Sequence, residues 1–290
     1  MTKPRHIDRL SEIADGFDAM LCDAWGVIHD GVTLFDGVAE ALQRFRAGRG
    51  PVVILTNAPR PSSIIPAQLD RIGLPRDAYD AIVTSGDATR AAIAAHLPAP
   101  AYKLGPEKDE ALYDGLDIAF APLDEAAFII CTGMVDDQRD QPEDYADMLA
   151  AAAARKLPMI CANPDIVVRW GGRIIYCAGA LAQMYQNLGG AVIYGGKPHT
   201  PIYELALKAA ALNSPSGAAP EATALARARV LAVGDGVKTD IAGANAHGLP
   251  ALFVAGDGGV HDGASDADGI EAALAAAGVH AQFAATRLVW

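Results

Sequence analysis

Short apolar runs alternate with helical periodicities along most of the 290-residue chain. "FDAMLCD" (17–23), "GPVVILTN" (50–57), "YDAIVTSG" (79–86), "ARVLAVGD" (228–235) and "LPALFVAG" (249–256) each hold a strand-length apolar run ending in Gly, Asn, Asp or Ser. Helical patterns follow in "GVAEALQRFRAG" (37–48), "DATRAAIAAHL" (87–97) and "KTDIAGANAHG" (238–248). Continuous apolar runs predict strands buried on both faces, and so a parallel sheet with helices on either side. Ligands of such sheets bind beyond the carboxyl ends of the strands. The polar residues of this chain gather at those ends.

The middle of the chain repeats the alternation. "EAAFIICTG" (125–133), "LPMICANPD" (157–165) and "RIIYCAGA" (173–180) predict strands, with a helix over "PEDYADMLAAAAARK" (142–156). Three core strands precede this region and two follow it. The predicted organisation is therefore a core of residues 1–87 and 195–290, interrupted by an α/β unit over 88–194. "NSPSGAAPEATA" (213–224) predicts a surface loop, and no repeat at solenoid spacing is present.

Composition narrows the class. With 51% hydrophobic and 20% charged residues, a soluble globular protein is expected. A net charge of −12 argues against a nucleic-acid-binding face. It still permits a small anionic substrate, because lysines, local dipoles or a metal can reverse the sign at a site. Cys22, Cys131, Cys161 and Cys177 form no CxxC pair, which suits buried thiols in a reducing cytoplasm. "MTKPRHIDRLSEIADG" lacks the apolar centre of a signal peptide. No apolar run reaches the roughly 18 residues of a membrane span. The expectation is a cytoplasmic protein without a membrane partner.

Four polar clusters carry candidate chemistry: Asp23; Thr56 and Asn57 in "ILTNAPR"; Lys197 in "YGGKPHTPIYELAL"; and Asp235 with Asp240 in "GDGVKTD". A carboxylate can attack phosphorus and split one displacement into two. Several carboxylates together make an oxygen-rich site for Mg²⁺, which offsets repulsion between nucleophile and phosphate. A hydroxyl, an amide and an ammonium can hold phosphoryl oxygens as charge shifts. Each cluster also has a plain reading. Asp, Thr and Asn build turns, Lys197 before Pro198 could open a helix, and Asp240 could cap one. Their coincidence on one sheet edge is what favours chemistry. "GDGGVHDG" (256–263) lacks the Lys-Ser/Thr ending of a P-loop and predicts a surface loop. No GxSxG elbow is present, and the seven histidines show no metal-ligand spacing.

Taken in order, these clusters resemble the haloacid dehalogenase (HAD) superfamily. "TNAPR", "TSGDAT", "CANPD" and "GGKPHTPIYELAL" are similar to its subclass IIA branch. That branch contains nucleotide, p-nitrophenyl-phosphate and sugar-phosphate phosphatases with a large C2-type cap between the Thr and the Lys. The separation of 141 residues between Thr56 and Lys197 has room for such a cap. The resemblance implies a doubly wound, Rossmann-like α/β core with an inserted α/β cap, and a small phosphorylated metabolite as substrate. It makes Asp23 the nucleophile and a metal ligand, with Thr56 and Lys197 holding the phosphoryl group and Asn57 assisting. Mg²⁺ would be held by Asp23, the Trp25 backbone carbonyl and Asp235, with Asp240 orienting it or binding through water. The stretch "ANPDIVVRWGG" becomes a specificity loop with Asp165 and Arg169 as candidates, although the two could equally be a solvated pair. Trp170 either lines the cap face or, as the simpler expectation, packs in the cap's own core. A homodimer formed through the cap is a further implication.

Trp25 departs from the pattern. The family's phosphatases normally carry a second Asp there, which protonates the leaving oxygen. Three readings stay open. The chain is a phosphatase that is slow or limited to easy leaving groups, with Asp30 or His29 as a substitute acid. Or it cleaves carbon–halogen bonds, as relatives with an aromatic at this position do. Or it binds a phosphorylated ligand without turnover.

Overall fold

The apolar runs become the middle of a parallel sheet. The computed structural model describes residues 3–170, 173–214, 226–256 and 266–290. In chain order the strands are β1 (Arg5–His6), β2 (Ala19–Cys22), β3 (Val52–Thr56), β4 (Ala81–Thr84), β5 (Ala101–Leu104), β6 (Phe128–Cys131), β7 (Met159–Cys161), β8 (Val167–Trp170), β9 (Arg173–Tyr176), β10 (Val192–Tyr194), β11 (Val230–Gly234), β12 (Ala251–Val254) and β13 (Phe283–Ala285). The helices are α1 (Val38–Gly48), α2 (Ile65–Arg71), α3 (Ser85–Ala94), α4 (Ala146–Ala154), α5 (Ala178–Asn187), α6 (Thr200–Leu212), α7 (Ala242–Ala246) and α8 (Ala267–Ala276).

Seven strands in the order β1-β13-β12-β11-β2-β3-β4 form the core sheet, and every neighbouring pair is parallel. All residues of β2, β3, β11 and β12 are buried. The helices explain why. On one face α1 buries the stripe Val38, Ala41, Leu42 and Phe45 in a cluster with Ile54 and Leu69. On the other face α6 buries Ile202, Tyr203, Ala206 and Ala210 with Leu21, Val53 and Phe253. A strand covered twice needs no polar side.

A second parallel sheet, in the order β10-β7-β6-β5, and an antiparallel hairpin, β8-β9, lie between β4 and α6 in the chain. Its two faces also have separate cores, one around Leu104, Leu149 and Tyr185, the other around Ile93, Leu112 and Phe128. The architecture is a doubly wound, Rossmann-like α/β core with an inserted α/β cap. Helix α3 spans the expected division at residues 87 and 88, and it contacts both α6 and β7. Its start is fixed by a capping box: Asp87 N–H donates to Thr84 Oγ1 at 3.0 Å, and Thr84 N–H donates to Asp87 Oδ2 at 3.2 Å. That box is the structural content of the "TSGDAT" stretch.

Several expectations need correction. The predicted strand 173–180 ends at Tyr176, and Ala178 begins α5. Five consecutive residues there, Ala178 to Ala182, are buried. Small side chains let that helix pack closely on its neighbours, and the resulting apolar run imitates a buried strand. "ANPDIVVRWGG" is not wholly a loop, since Val167–Trp170 pair with Arg173–Tyr176. Trp170 is not core: it is 37% exposed. The core sheet gains the short outer strands β1 and β13, which no apolar run announces. Most of the predicted loops at 213–224 and 256–263 lie outside the described residues. Among the described residues no helix is long and apolar enough to cross a membrane.

Candidate active site

The strand order reverses between β2 and β11. From β2 the chain winds outward through β3 and β4, then returns to β11 on the other side. This is the switch point at which an open α/β sheet leaves a crevice. Cys22 lies beside Val233 in register, so Asp23 and Asp235 leave adjacent strands at nearly the same level. The Asp23 N–H donates to the Val233 carbonyl at 2.8 Å. Thr56 closes β3 next door, and its Oγ1 accepts the Ala58 N–H at 3.3 Å.

Lys197 enters from the loop before α6. Its Nζ donates to Asp23 Oδ1 at 2.6 Å, Asp240 Oδ1 at 2.8 Å and the Leu55 carbonyl at 3.0 Å. Asn57 fixes this lysine's backbone: Asn57 Oδ1 accepts the Lys197 N–H at 2.7 Å, and Asn57 Nδ2 donates to the Lys197 carbonyl at 3.3 Å. The same amide donates to Asp165 Oδ1 at 2.9 Å, joining core to cap. Asp240 caps no helix by its side chain; it sits in a π-helical turn, Val237–Ile241, where its Oδ2 accepts the Gly236 N–H at 3.0 Å.

Asp23, Asp235 and Asp240 are all buried, with carboxylate oxygens within 4.8 Å of one another. Burial and the neighbouring Asp240 push the Asp23 carboxyl well above the usual range, against the pull of Lys197. Burial lowers Lys197, but Asp23, Asp240 and Asp165 outweigh it and keep the ammonium charged. Three carboxylates against one ammonium leave an excess of negative charge on hard oxygen donors, which fits a divalent cation such as Mg²⁺. Gly26 marks how closely the chain after Trp25 passes this site. With φ +86°, a Cβ at Gly26 would stand 2.3 Å from Asp235 Oδ2.

Two cavities meet here. A small one of about 40 Å³ is lined by Asp23, Thr56, Asn57, Asp235 and Asp240, with Arg169 also in its wall. A larger one of about 460 Å³ opens between core and cap. Trp25, Thr56, Asp165 and Val168 line both. Trp25 therefore stands at the junction, its Nε1 donating to the Arg169 carbonyl at 2.5 Å. Arg169 is placed there by β8, while Asp165, half-buried and with its carboxyl raised by loss of solvation, faces Asn57. Trp170 lines the larger cavity, and a Cβ at Gly31 would meet both Trp170 and Trp25 at 2.5 Å. His29 is buried edge-on to Trp25, its Nδ1 accepts the Gly31 N–H, and burial pulls its pKa to about 4. It is thus neutral near pH 7 and poorly suited to give up a proton. Asp30 Oδ1 accepts the Val32 and Thr33 N–H groups and lines neither cavity.

Residues 20–119 match a family model described as haloacid dehalogenase-like hydrolase, and residues 194–283 match a HAD-hydrolase-like model. A crystal structure of a haloacid dehalogenase-like hydrolase from Brucella suis is 42% identical, with a TM-score of 0.87 over 98% of this chain and all of that one. The chain belongs to the haloacid dehalogenase-like hydrolase family. The fold is shared further with a possible sugar phosphatase from Cytophaga hutchinsonii (20% identity, TM-score 0.78, 99% of each chain). It is shared too with the p-nitrophenyl phosphatase of Archaeoglobus fulgidus (21% identity, TM-score 0.67, 93% of this chain and 96% of that one). Among curated proteins no significant match is found.

Several polar lining residues of the large cavity, among them Arg60, Gln68, Asp109 and Thr132, belong to none of the predicted clusters. Arg60 lies inside the quoted "TNAPR" stretch, which was a signal of sorts. The other three come from distant segments with no shared motif.

Proposed function

We propose that this family member is a Mg²⁺-dependent phosphatase acting on a small phosphorylated metabolite, through an aspartyl-phosphate on Asp23. The carrying observation is the buried Asp23–Lys197–Asp240 network at the mouth of a two-chambered crevice. The small chamber suits the phosphoryl group and the larger one the leaving group. Asp23 attacks phosphorus, the bond to the leaving oxygen breaks, and water then cleaves the acyl-phosphate to restore the carboxylate. Lys197 and Thr56 hold phosphoryl oxygens, and Asn57 keeps Lys197 in place. Asp23, the Trp25 carbonyl and Asp235 would hold Mg²⁺, with Asp240 behind them. The ion supplies positive charge that tempers repulsion between carboxylate and phosphate. The close approach of Gly26 to Asp235 supports Trp25's place in that set.

Trp25 cannot protonate a leaving oxygen, and His29 and Asp30 are occupied in the turn. Leaving groups that depart as stable anions should therefore react best. A cytoplasmic setting accords with four free, buried cysteines. Trp25 also supports a second reading, in which the protein binds a phosphorylated ligand without turnover.

The test is phosphate release from p-nitrophenyl phosphate and a panel of phosphorylated metabolites, with and without Mg²⁺, for wild type and Asp23→Asn. Metal-dependent release that disappears in the variant is expected. No release from any compound by protein that binds Mg²⁺ would favour the second reading.

A further inference from the structure

The cap hairpin β8–β9 is a sheet of its own, separate from the four-stranded cap sheet. Two strands alone are marginally stable in water, so their order depends on what they lie against. Little of the hairpin is buried in itself: of the described residues in its two strands only Ile175 is. Its support comes from the core turn that carries Trp25. The Trp25 Nε1 donates to the Arg169 carbonyl at 2.5 Å, a bond to the strand's backbone and so independent of any side-chain rotamer. Gly31 of the same turn packs against both Trp25 and Trp170, since a Cβ there would stand 2.5 Å from each. Trp25 is itself anchored, its ring centroid 5.3 Å from that of the buried His29.

What β8 covers gives these contacts a consequence. Val167 and Arg169 line the small chamber, Trp170 lines the large one and Val168 lines both. The strand is therefore a partition between the two. The passage that joins them is framed by Trp25 and Thr56 of the core and by Asp165 and Val168 of the cap. Its width follows from how β8 sits on the core. The strand is fastened at both ends: before it, Asn57 Nδ2 donates to Asp165 Oδ1 at 2.9 Å, and near its end Trp25 holds Arg169. A carboxylate in place of the indole only accepts hydrogen bonds and could not bind that carbonyl.

We propose that the Trp25 indole is a latch, which holds the β8–β9 hairpin down as a lid over the small chamber. With the bond made, the hairpin is ordered and the passage narrow. With it broken, the hairpin loses its support on the core, frays and lets the passage widen. The latch needs the two chambers but no turnover, so it holds whether the protein hydrolyses its ligand or only binds it. Trp25 is the fastening that can be changed cleanly, because Asn57 also holds Lys197.

The experiment is hydrogen–deuterium exchange of the full chain, read by mass spectrometry, for wild type and Trp25→Phe. Phenylalanine keeps a ring beside His29 and Gly31 and removes the N–H. Amides of β8 and β9 should exchange about fivefold faster in the variant, the effect of losing one hydrogen bond on a local opening. Amides of β3 and β11, which flank the same site, should keep their wild-type rates. Trp170→Ala, made on the partly exposed cap side of the same contact, should loosen the same two strands. It keeps the test open if Trp25→Phe impairs folding. The inference falls if β8 and β9 keep their wild-type rates in the folded variant. It falls equally if β3 and β11 accelerate as much as the hairpin, which would make Trp25 an ordinary packing residue of the core. Neither outcome bears on the phosphatase reading, which the release of phosphate tests separately.

Discussion

Lys197 holds Asp23 and Asp240 at once, its Nζ 2.6 Å from one carboxylate and 2.8 Å from the other. All three side chains are buried, so the ammonium is a structural counter-charge as well as the proposed phosphate ligand. Removing one partner of a buried ionic group typically costs about 3–5 kcal/mol. Lys197→Met should therefore lose stability on that scale in the absence of divalent metal. Mg²⁺ at a hundred times its dissociation constant returns about 2.7 kcal/mol through binding to the native state alone. The check is urea denaturation with and without Mg²⁺. If Mg²⁺ raises the stability of neither protein, the carboxylates are not a metal site. Phosphate release should be lost in either condition, because on the proposed mechanism the lysine also steadies the phosphoryl group.

Trp25 stands two residues after the proposed nucleophile, and its indole cannot protonate a leaving oxygen. General acid help is worth about 10²–10⁴-fold. Wild-type turnover should thus fall steeply from p-nitrophenyl phosphate to alkyl phosphates. Trp25→Asp should raise the alkyl rate most and flatten that dependence. The variant also forfeits the indole bond to the Arg169 carbonyl, a loss on the order of 1 kcal/mol. Comparing kcat for the two ester types in both proteins gives the answer. An unchanged ratio would mean that proton donation to the leaving group does not limit the reaction.

The fold is legible in the sequence only where structural information is local. β2, β3, β11 and β12 are legible because burial on both faces makes them continuous apolar runs. Asp23, Thr56 and Asp235 stand out because a parallel sheet puts its polar residues just beyond such runs. The structure then brings Asp23, Asp240 and Lys197 into direct contact, which spacing alone suggested only through family likeness. β1 and β13 were invisible, being short outer strands whose pairing is decided by what lies beside them. α5 imitates a strand in the sequence because Ala and Gly pack as tightly in a buried helix as in a strand. The cavity wall of Gln68, Asp109 and Thr132 was beyond reach, since convergence across two sheets leaves no local periodicity.

Gly26 offers a test of the metal site that touches no ligand side chain. Its φ of +86° disfavours any residue with a Cβ, and that atom would stand 2.3 Å from Asp235 Oδ2. Gly26→Ala should cost about 1–3 kcal/mol from backbone strain. It should also weaken Mg²⁺ binding by displacing the Asp235 carboxylate. Calorimetric titration with Mg²⁺, on protein shown to be folded by circular dichroism, measures this. Unaltered affinity would remove Asp235 from the ligand set.

Asp109 supplies a pH signature. Burial pushes its carboxyl up to about 6 from an ordinary 3.8, against Arg60 and Lys108. Between roughly pH 4 and 6 the native state thus holds a proton that the unfolded chain has released. Stability therefore falls as pH rises through this window and stays lower above it. Asparagine cannot ionise, so Asp109→Asn escapes the loss. Each pKa unit corresponds to about 1.4 kcal/mol, and the variant should exceed wild type by on the order of 3 kcal/mol at pH 8. Near pH 4 the two should converge, because both forms are then neutral at this position. Urea unfolding at a series of pH values tests the sign directly. A gap that is constant with pH would show that Asp109 does not change its proton occupancy on folding, and that its carboxylate is better solvated or better paired than its burial implies.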